Sequence, residues 1–295
     1  MKNMQLFVND LTVIDFSYLC ESRGVVGESW IVDVLLSGDL NAESMVLDFG
    51  IVKKQIKAII DESVDHKLVL PGESKQLSIS KSPRSGHLYV DFNLTDNAMF
   101  LQSPAQAFAV IDTPKIDEES VTRYLEGVIK QQLPENVQGI QLTLRAEHID
   151  GDYYHYTHGL KKHDGNCQRI AHGHRSKITI FQDGQHSKDL EQYWSQRWHD
   201  IYLASDSDQV AVEQIELSDF AKQNLRPDHQ YFCYYAPQGR FDIAVRKGTL
   251  EIVDCDSTVE LLADYIARQL KQQAPEHSFK VVAYEGVGKG AIASA

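Results

Sequence analysis

Seven of the chain's 12 histidines fall between His148 and His186, where an even spread would leave about two. The sharpest feature is Ala171-His172-Gly173-His174, which leads into a strand-like stretch at Ser176. Residues i and i+2 of a strand point to one face, so His172 and His174 converge. The glycine between them has no side chain to pack and suggests a close approach of backbone or ligand. His158 ends the alternating stretch Tyr154-His155-Tyr156-Thr157-His158, one hairpin upstream. Three neutral imidazoles with an open fourth position make a catalytic zinc arrangement. Cobalt, nickel or iron would accept the same donors. The alternative is a set of solvated hairpin histidines.

Cys167 lies five residues before His172, in the turn-like Gly165-Asn166-Cys167. A thiol beside a cation loses its proton readily and serves as base or nucleophile. It could equally be a fourth metal ligand, which would close the site and make it structural. Cys20, Cys233 and Cys255 have no such company and read as buried or incidental. Lys161, Lys162, Arg169, Arg175 and Lys177 stand against one acid, Asp164. In a chain of net charge −13 that is a reversed local field, suited to a phosphorylated substrate or else merely a solvated loop.

The elements that position these residues come from a chain of 295 residues, enough for two domains or one large one. With 42% apolar and 24% charged residues it is an ordinary globular chain. The acidic balance argues against nucleic-acid binding by charge. No run approaches the roughly 18 apolar residues of a membrane span. Met1 to Leu6 has no apolar core of signal-peptide length, and the few scattered cysteines do not make a disulfide scaffold, so a reducing cytoplasmic setting is expected.

The chain also repeats itself. Tyr124 to Glu135 reads YLEGVIKQQLPE and Tyr265 to Glu276 reads YIARQLKQQAPE. Both have helical apolar spacing stopped by a proline, and both run into a β-prone stretch, Ile140–Leu144 up to Glu147 and Phe279–Val282 up to Glu285. Upstream, Leu11–Phe16 and Ser29–Leu36 read as a strand pair, and Asp48–Ile60 as a helix with Asp48 as N-cap. The second half matches with a strand at Ser176–Phe181 and a helix at Ser187–Trp198. The expected modules are therefore residues 1–147 and 148–295. Each would leave open sheet edges, which predicts an oligomer.

These residues together resemble the 6-pyruvoyl-tetrahydropterin synthase and 6-carboxytetrahydropterin synthase group. Tyr154–Leu160 is similar to the family's first-histidine strand, and Cys167 with His172-Gly173-His174 to its next element. Met45-Val46-Leu47-Asp48-Phe49, Asp65-His66-Lys67-Leu68, Thr258 with Glu260, and Tyr284-Glu285 match its remaining motifs. The resemblance implies an α+β chain of two tandem tunnelling-fold modules. Each would be an antiparallel four-stranded sheet with two helices on one face, and the modules would assemble into barrels. The family keeps these parts in one module of about half this length. Here the first module has Phe16-Ser17-Tyr18-Leu19-Cys20 and Val26-Gly27-Glu28 where the metal histidines belong, yet keeps Asp65-His66, Glu119 and Glu147. In the second module Trp198-His199 stands where Asp-His is expected.

The resemblance therefore implies one composite site per chain. The second module would bring Zn2+ on His158, His172 and His174, together with Cys167. The first would bring Asp65 and His66 as proton relay. Glu285, with Glu147 behind it, would hold the pterin ring, Glu260 would open the second helix at the site, and Lys161, Arg169 and Arg175 would hold a triphosphate. The implied substrate is 7,8-dihydroneopterin triphosphate and the product 6-carboxytetrahydropterin, a step towards queuosine. A pyruvoyl product and a non-catalytic pterin-binding protein are the alternatives. A metal-free tandem enzyme, like urate oxidase, is disfavoured by the three histidines. The partners implied are a small-molecule pterin and further copies of the chain, with no nucleic acid and no membrane.

Overall fold

The computed structural model describes residues 4–162 and 165–295; Asp164, the one acid expected beside the basic cluster, lies outside them. The first module opens on a long hairpin, β1 (Met4–Cys20) and β2 (Gly24–Gly38). Its apolar residues alternate, so Ile14, Phe16, Val32, Val34 and Leu36 fall on the buried face. Asp48 caps the next helix as expected, accepting from the amides of Gly50 and Ile51. That helix is a rod of α1 (Phe49–Ile51) and α2 (Lys57–Ser63) joined by a π turn over Val52–Ile56. The wider turn brings Ile60 to the fully buried place beside Val52 and Ile56, and leaves Ile59 half-buried. β3 (Leu68–Pro71) follows, then β4 (Leu77–Lys81), β5 (Leu88–Phe92) and β6 (Met99–Ser103). β7 (Phe108–Ile111), α3 (Glu118–Lys130) and β8 (Val137–Ala146) close the module.

The second module repeats this order. β9 (Tyr153–His158) and β10 (His172–Gln182) form its hairpin, followed by the short β11 (Gln185–His186), α4 (Lys188–Arg197) and β12 (Ile201–Ser205). After α5 (Asp219–Asn224) come β13 (His229–Ala236), β14 (Gly239–Arg246) and β15 (Leu250–Val253). α6 (Val259–Gln273), β16 (Phe279–Tyr284) and β17 (Gly290–Ser294) complete it. Both helices carrying the repeated motif stop before their proline, α3 ahead of Pro134 and α6 ahead of Pro275.

The sheets differ from the four-stranded antiparallel form expected. The first has five strands in the order β7-β3-β1-β2-β8, and the second runs β15-β12-β9-β10-β16-β17 with β11 on β10. The pairs β1–β3, β3–β7, β9–β12 and β12–β15 are parallel. β3 and β12 enter the sheet beside their module's first strand after a hairpin partner and a helix, and β7 and β15 return beside them after strands of a further sheet; such long connections, unlike tight hairpins, let the chain come back parallel. A third sheet, β13-β14-β6-β5-β4, draws strands from both modules and joins them where β6 pairs with β14. Sequence periodicity gave no sign of it. Its inner face shares a core with Leu68, Leu70, Ile170 and Tyr202, so it covers the hairpin turns of both modules. Among the described residues no helix is long and apolar enough to cross a membrane.

Candidate active site at the module interface

The two hairpins meet back to back. Ser17 pairs with Gly27 across the first hairpin, and Thr157 with Gly173 across the second. The hydroxyls of Ser17 and Thr157 lie 2.8 Å apart. A Cβ on Gly173 would come within 2.5 Å of Ser17 Oγ and 2.6 Å of Gly27 Cα. The glycine between the two histidines thus admits the backbone of the other module, one of the two approaches its sequence suggested.

His158 pairs with His172 and His174 with Tyr156 in the β9–β10 register, so the three imidazoles share a face. All three rings are buried, at 0 to 1% exposure, and their ligating nitrogens lie within 4.8 Å of one another. Nε2 of His158 is 3.2 Å from Nε2 of His174. Two nitrogens held about 2.0–2.1 Å from one tetrahedral ion stand roughly 3.3 Å apart, so this spacing fits zinc. His158 Nδ1 faces the Ser257 carbonyl at 2.9 Å, which makes Nδ1 the donor and leaves Nε2 a free lone pair. Burial, with the neighbouring imidazoles, pushes His158 and His172 well below the usual histidine range, so both are neutral donors. Among the described residues, Nδ1 of His172 is buried with no hydrogen bond of good geometry. Donor type, protonation and spacing all suit a divalent ion.

Asp65 and His66, the residues expected as proton relay, arrive from the first module. His66, Cys167 and His172 form a second group whose ligating atoms lie within 4.8 Å. His66 Nδ1 is 2.7 Å from Asp65 Oδ2, and the other Asp65 oxygen accepts the Asp15 amide at 2.9 Å. Burial alone would lower His66, but the contacts with Asp65 and Cys167 outweigh it and push the imidazole up to about 10. Its backbone is left-handed, with φ of 52°, and its amide donates to the Asp15 carbonyl at 2.8 Å. Cys167 sits in a short 3-10 turn, Asn166–Gln168. The third sheet holds this loop: Tyr234 donates to the Gln168 carbonyl at 2.9 Å, and Tyr202 of β12 donates to that of Ile170 at 2.7 Å.

Two participants were not foreseen. Asp15, 4% exposed, lies 3.2 Å from His174 Nδ1 and accepts from Ser29 Oγ at 2.5 Å. Lys289 Nζ reaches its other oxygen at 3.0 Å. Burial works against the charge, but His174, Lys289 and Ser29 hold Asp15 well below the usual carboxylate range. Only its place beside Asp65 in the fold, and no local motif, marks it out. Glu285 is 3.9 Å from His174 Nε2 and 3.9 Å from Lys289, within the site as its motif suggested.

The other expected substrate residues have different company. Glu147 contacts Lys177 at 3.2 Å, and its carbonyl accepts from Arg175 at 2.7 Å. Glu260 is exposed in the first turn of α6. Lys161 pairs with Asp208 and Lys162 with Asp256. Arg169, 3% exposed, donates to the Asp65 carbonyl and so stitches the modules together. The expected phosphate patch is thus already engaged with acids and carbonyls of the protein. Cys20, Cys233 and Cys255 are half-buried free thiols.

A mirrored locus lies across the interface. The sheet registers pair Ser17 with Leu68 and Thr157 with Tyr202, which sets His66 against Asp200 rather than against His199. Both have a left-handed backbone, with φ of 52° and 54°. The second module's counterpart of Asp65-His66 is therefore His199-Asp200, one residue on from the Trp198-His199 that sequence alignment alone suggested. Trp198 is instead fully buried core. Where Cys167 meets His66 at the candidate site, Arg23 here grips Asp200 through both oxygens, at 2.6 and 2.8 Å. Glu28 faces His155 at 3.8 Å, mirroring Asp15 and His174.

A duplicated α+β fold with three converged imidazoles at the contact of its halves, and a thiol and an Asp–His pair beside them, defines a two-module scaffold with a candidate metal site. The chain belongs to the 6-pyruvoyl tetrahydropterin synthase family, whose model matches residues 20–145 and again 150–294. Members of the family are lyases of pterin biosynthesis. A Methanocaldococcus jannaschii protein described as "Putative 6-carboxy-5,6,7,8-tetrahydropterin synthase" is 29% identical over 119 residues, 37% of this chain and 64% of its own length. One of the same description from Pyrococcus abyssi is 22% identical over 44% of this chain and 73% of its own. Among solved structures, the 6-pyruvoyl tetrahydropterin synthase of Plasmodium vivax aligns with a TM-score of 0.38 at 15% identity, over 49% of this chain and 99% of that one. That of Plasmodium falciparum aligns with a TM-score of 0.40 at 13% identity, over 48% and 90%.

Proposed function

We propose that the chain is a zinc-dependent lyase of the 6-carboxytetrahydropterin synthase type, with one composite site per chain. The observation that carries this reading is the convergence of His158, His172 and His174 beside Cys167, with Asp65–His66 entering from the other module. Bound there, Zn2+ would polarise the substrate's side-chain hydroxyls and acidify the adjoining C–H bonds. Cys167 takes and returns the proton at the side-chain carbons. His66 relays it, and Asp65 holds the imidazole through Nδ1. Glu285 accepts the pterin N–H groups, with Lys289 balancing its charge. The substrate is 7,8-dihydroneopterin triphosphate, which with one water gives 6-carboxytetrahydropterin, triphosphate and the two outer side-chain carbons as acetaldehyde, the ring's reduction being balanced by oxidation of the retained side-chain carbon to the carboxylate, on the route to queuosine.

A pyruvoyl product would come from the same residues. A non-catalytic pterin-binding role is favoured by one observation, the prior pairing of Lys161, Lys162, Arg169, Arg175 and Lys177. Incubating purified protein with 7,8-dihydroneopterin triphosphate and identifying the product decides among the three. The carboxy product supports the reading, the pyruvoyl product moves it to the sister activity, and no turnover by zinc-loaded protein rejects it.

A further inference from the structure

The first module supplies more than the relay. Asp15 is a buried carboxylate with no place in the proton path. One of its oxygens faces Nδ1 of His174 at 3.2 Å, and among the described residues that nitrogen has no other partner. The same oxygen accepts from Ser29, whose hydroxyl also accepts the Arg175 amide at 3.2 Å. The second oxygen takes Lys289. Lys289 belongs to the turn after Glu285, where the amide of Gly286 donates to Ser176 Oγ at 3.1 Å. Gly286 has φ of +71°, and a Cβ there would meet Ser29 Oγ at 2.8 Å as well as Asp15 itself, so the turn is seated directly on this carboxylate.

We propose that Asp15 is the positioning residue of the metal centre: a carboxylate from the first module that orients His174 of the second and seats the Glu285 turn beside it. This rests on the metal-centre reading above. A carboxylate behind a ligating histidine fixes the ring and raises its basicity, and removing such a partner commonly weakens metal binding 10- to 100-fold. The division of labour also gives the first module a reason to stay in the chain after losing its own ligands. The mirrored pair, Glu28 with His155, has the same acid-to-imidazole arrangement but serves no cradle, since Tyr18 and Val26 stand there in place of histidines. It is a built-in control.

The test is the zinc affinity of the full chain, by competition with a chromophoric chelator at neutral pH, and the visible spectrum of the cobalt-substituted protein. Asp15→Asn should weaken zinc roughly 10- to 100-fold and change the cobalt spectrum, while Glu28→Gln stays within about twofold of wild type. The melting temperature of the metal-free Asp15→Asn protein shows whether it is folded; Asp15→Ser is the second variant should the first not be. Unchanged affinity and spectrum in a folded Asp15 variant overturn the proposal. So does an equal loss in Glu28→Gln, which would mean a general loosening of the interface. If wild type itself takes up no zinc or cobalt, the metal-centre reading fails before Asp15 is tested.

Discussion

Cys167, His66 and Asp65 come from sites a hundred residues apart, yet each is fixed by contacts that the others share. Asp65 is held by the Asp15 amide and holds His66 in turn. His66 keeps a left-handed backbone, a conformation uncommon outside glycine, because its amide is tied to the Asp15 carbonyl. Cys167→Ala should therefore keep its zinc and lose turnover by about 10²–10⁴-fold. Metal analysis and steady-state rates check this, and loss of metal would make Cys167 a ligand. Asp65→Asn preserves the contact with the Asp15 amide but not the carboxylate behind His66. It should lower turnover by roughly 10²-fold with metal content unchanged; full activity would reject the composite site. At this scale the histidines were legible because the two-residue period of a strand puts His172 and His174 on one face. Asp15 and Lys289 were not, because their importance arises from the packing of one module on the other, which no local spacing encodes.

The hairpins and the third sheet do the positioning. β1–β2 and β9–β10 can press together because Gly27 and Gly173 face each other at the crossing. The third sheet then clamps the Cys167 loop through Tyr234, a hydroxyl donating to a buried carbonyl. Tyr234→Phe removes that one bond, worth about 1 kcal/mol, so turnover should fall roughly fivefold with little change in zinc content. A rate equal to wild type would mean that the loop is held without it. Apolar periodicity, the Asp48 cap and the two prolines marked the strands and helices of both modules, but the strands run further than expected: Leu11–Phe16, Ser29–Leu36 and Ser176–Phe181 are parts of β1, β2 and β10. The third sheet was not marked: β4, β5 and β6 pair locally, as do β13 and β14, but the contact that makes them one sheet, β6 with β14, spans a long sequence separation. The parallel strand pairs were also missed: periodicity marks a strand but not its direction.

Across the whole molecule the two halves place the candidate site and its mirrored locus about the same interface. At the mirrored locus, burial pushes the Glu28 carboxyl up to about 7, against the opposing pull of Arg175 and Arg23. Burial likewise pushes its neighbour His155 down to about 4. A carboxyl raised on folding favours the folded state at acid pH and loses that advantage between its ordinary 4.5 and about 7. A histidine lowered on folding acts oppositely, its contribution fading as pH falls from 6.5 to about 4. Glu28→Gln removes the first effect alone. It should match wild type near pH 4 and exceed it at pH 8 by on the order of 2 kcal/mol in denaturant melts. Equal stability at both pH values would mean that Glu28 is not desolvated. Each module also ends on open edge strands, β7 and β8 in one and β15 and β17 in the other, which is where further copies of the chain would pair.

The central claim is that His158, His172 and His174 hold one divalent ion. It is tested most directly by elemental analysis of the purified chain beside a variant with all three replaced by alanine. One zinc per wild-type chain, absent from the triple variant, is the predicted result. No bound metal in wild type, or the same metal content in both, would contradict it.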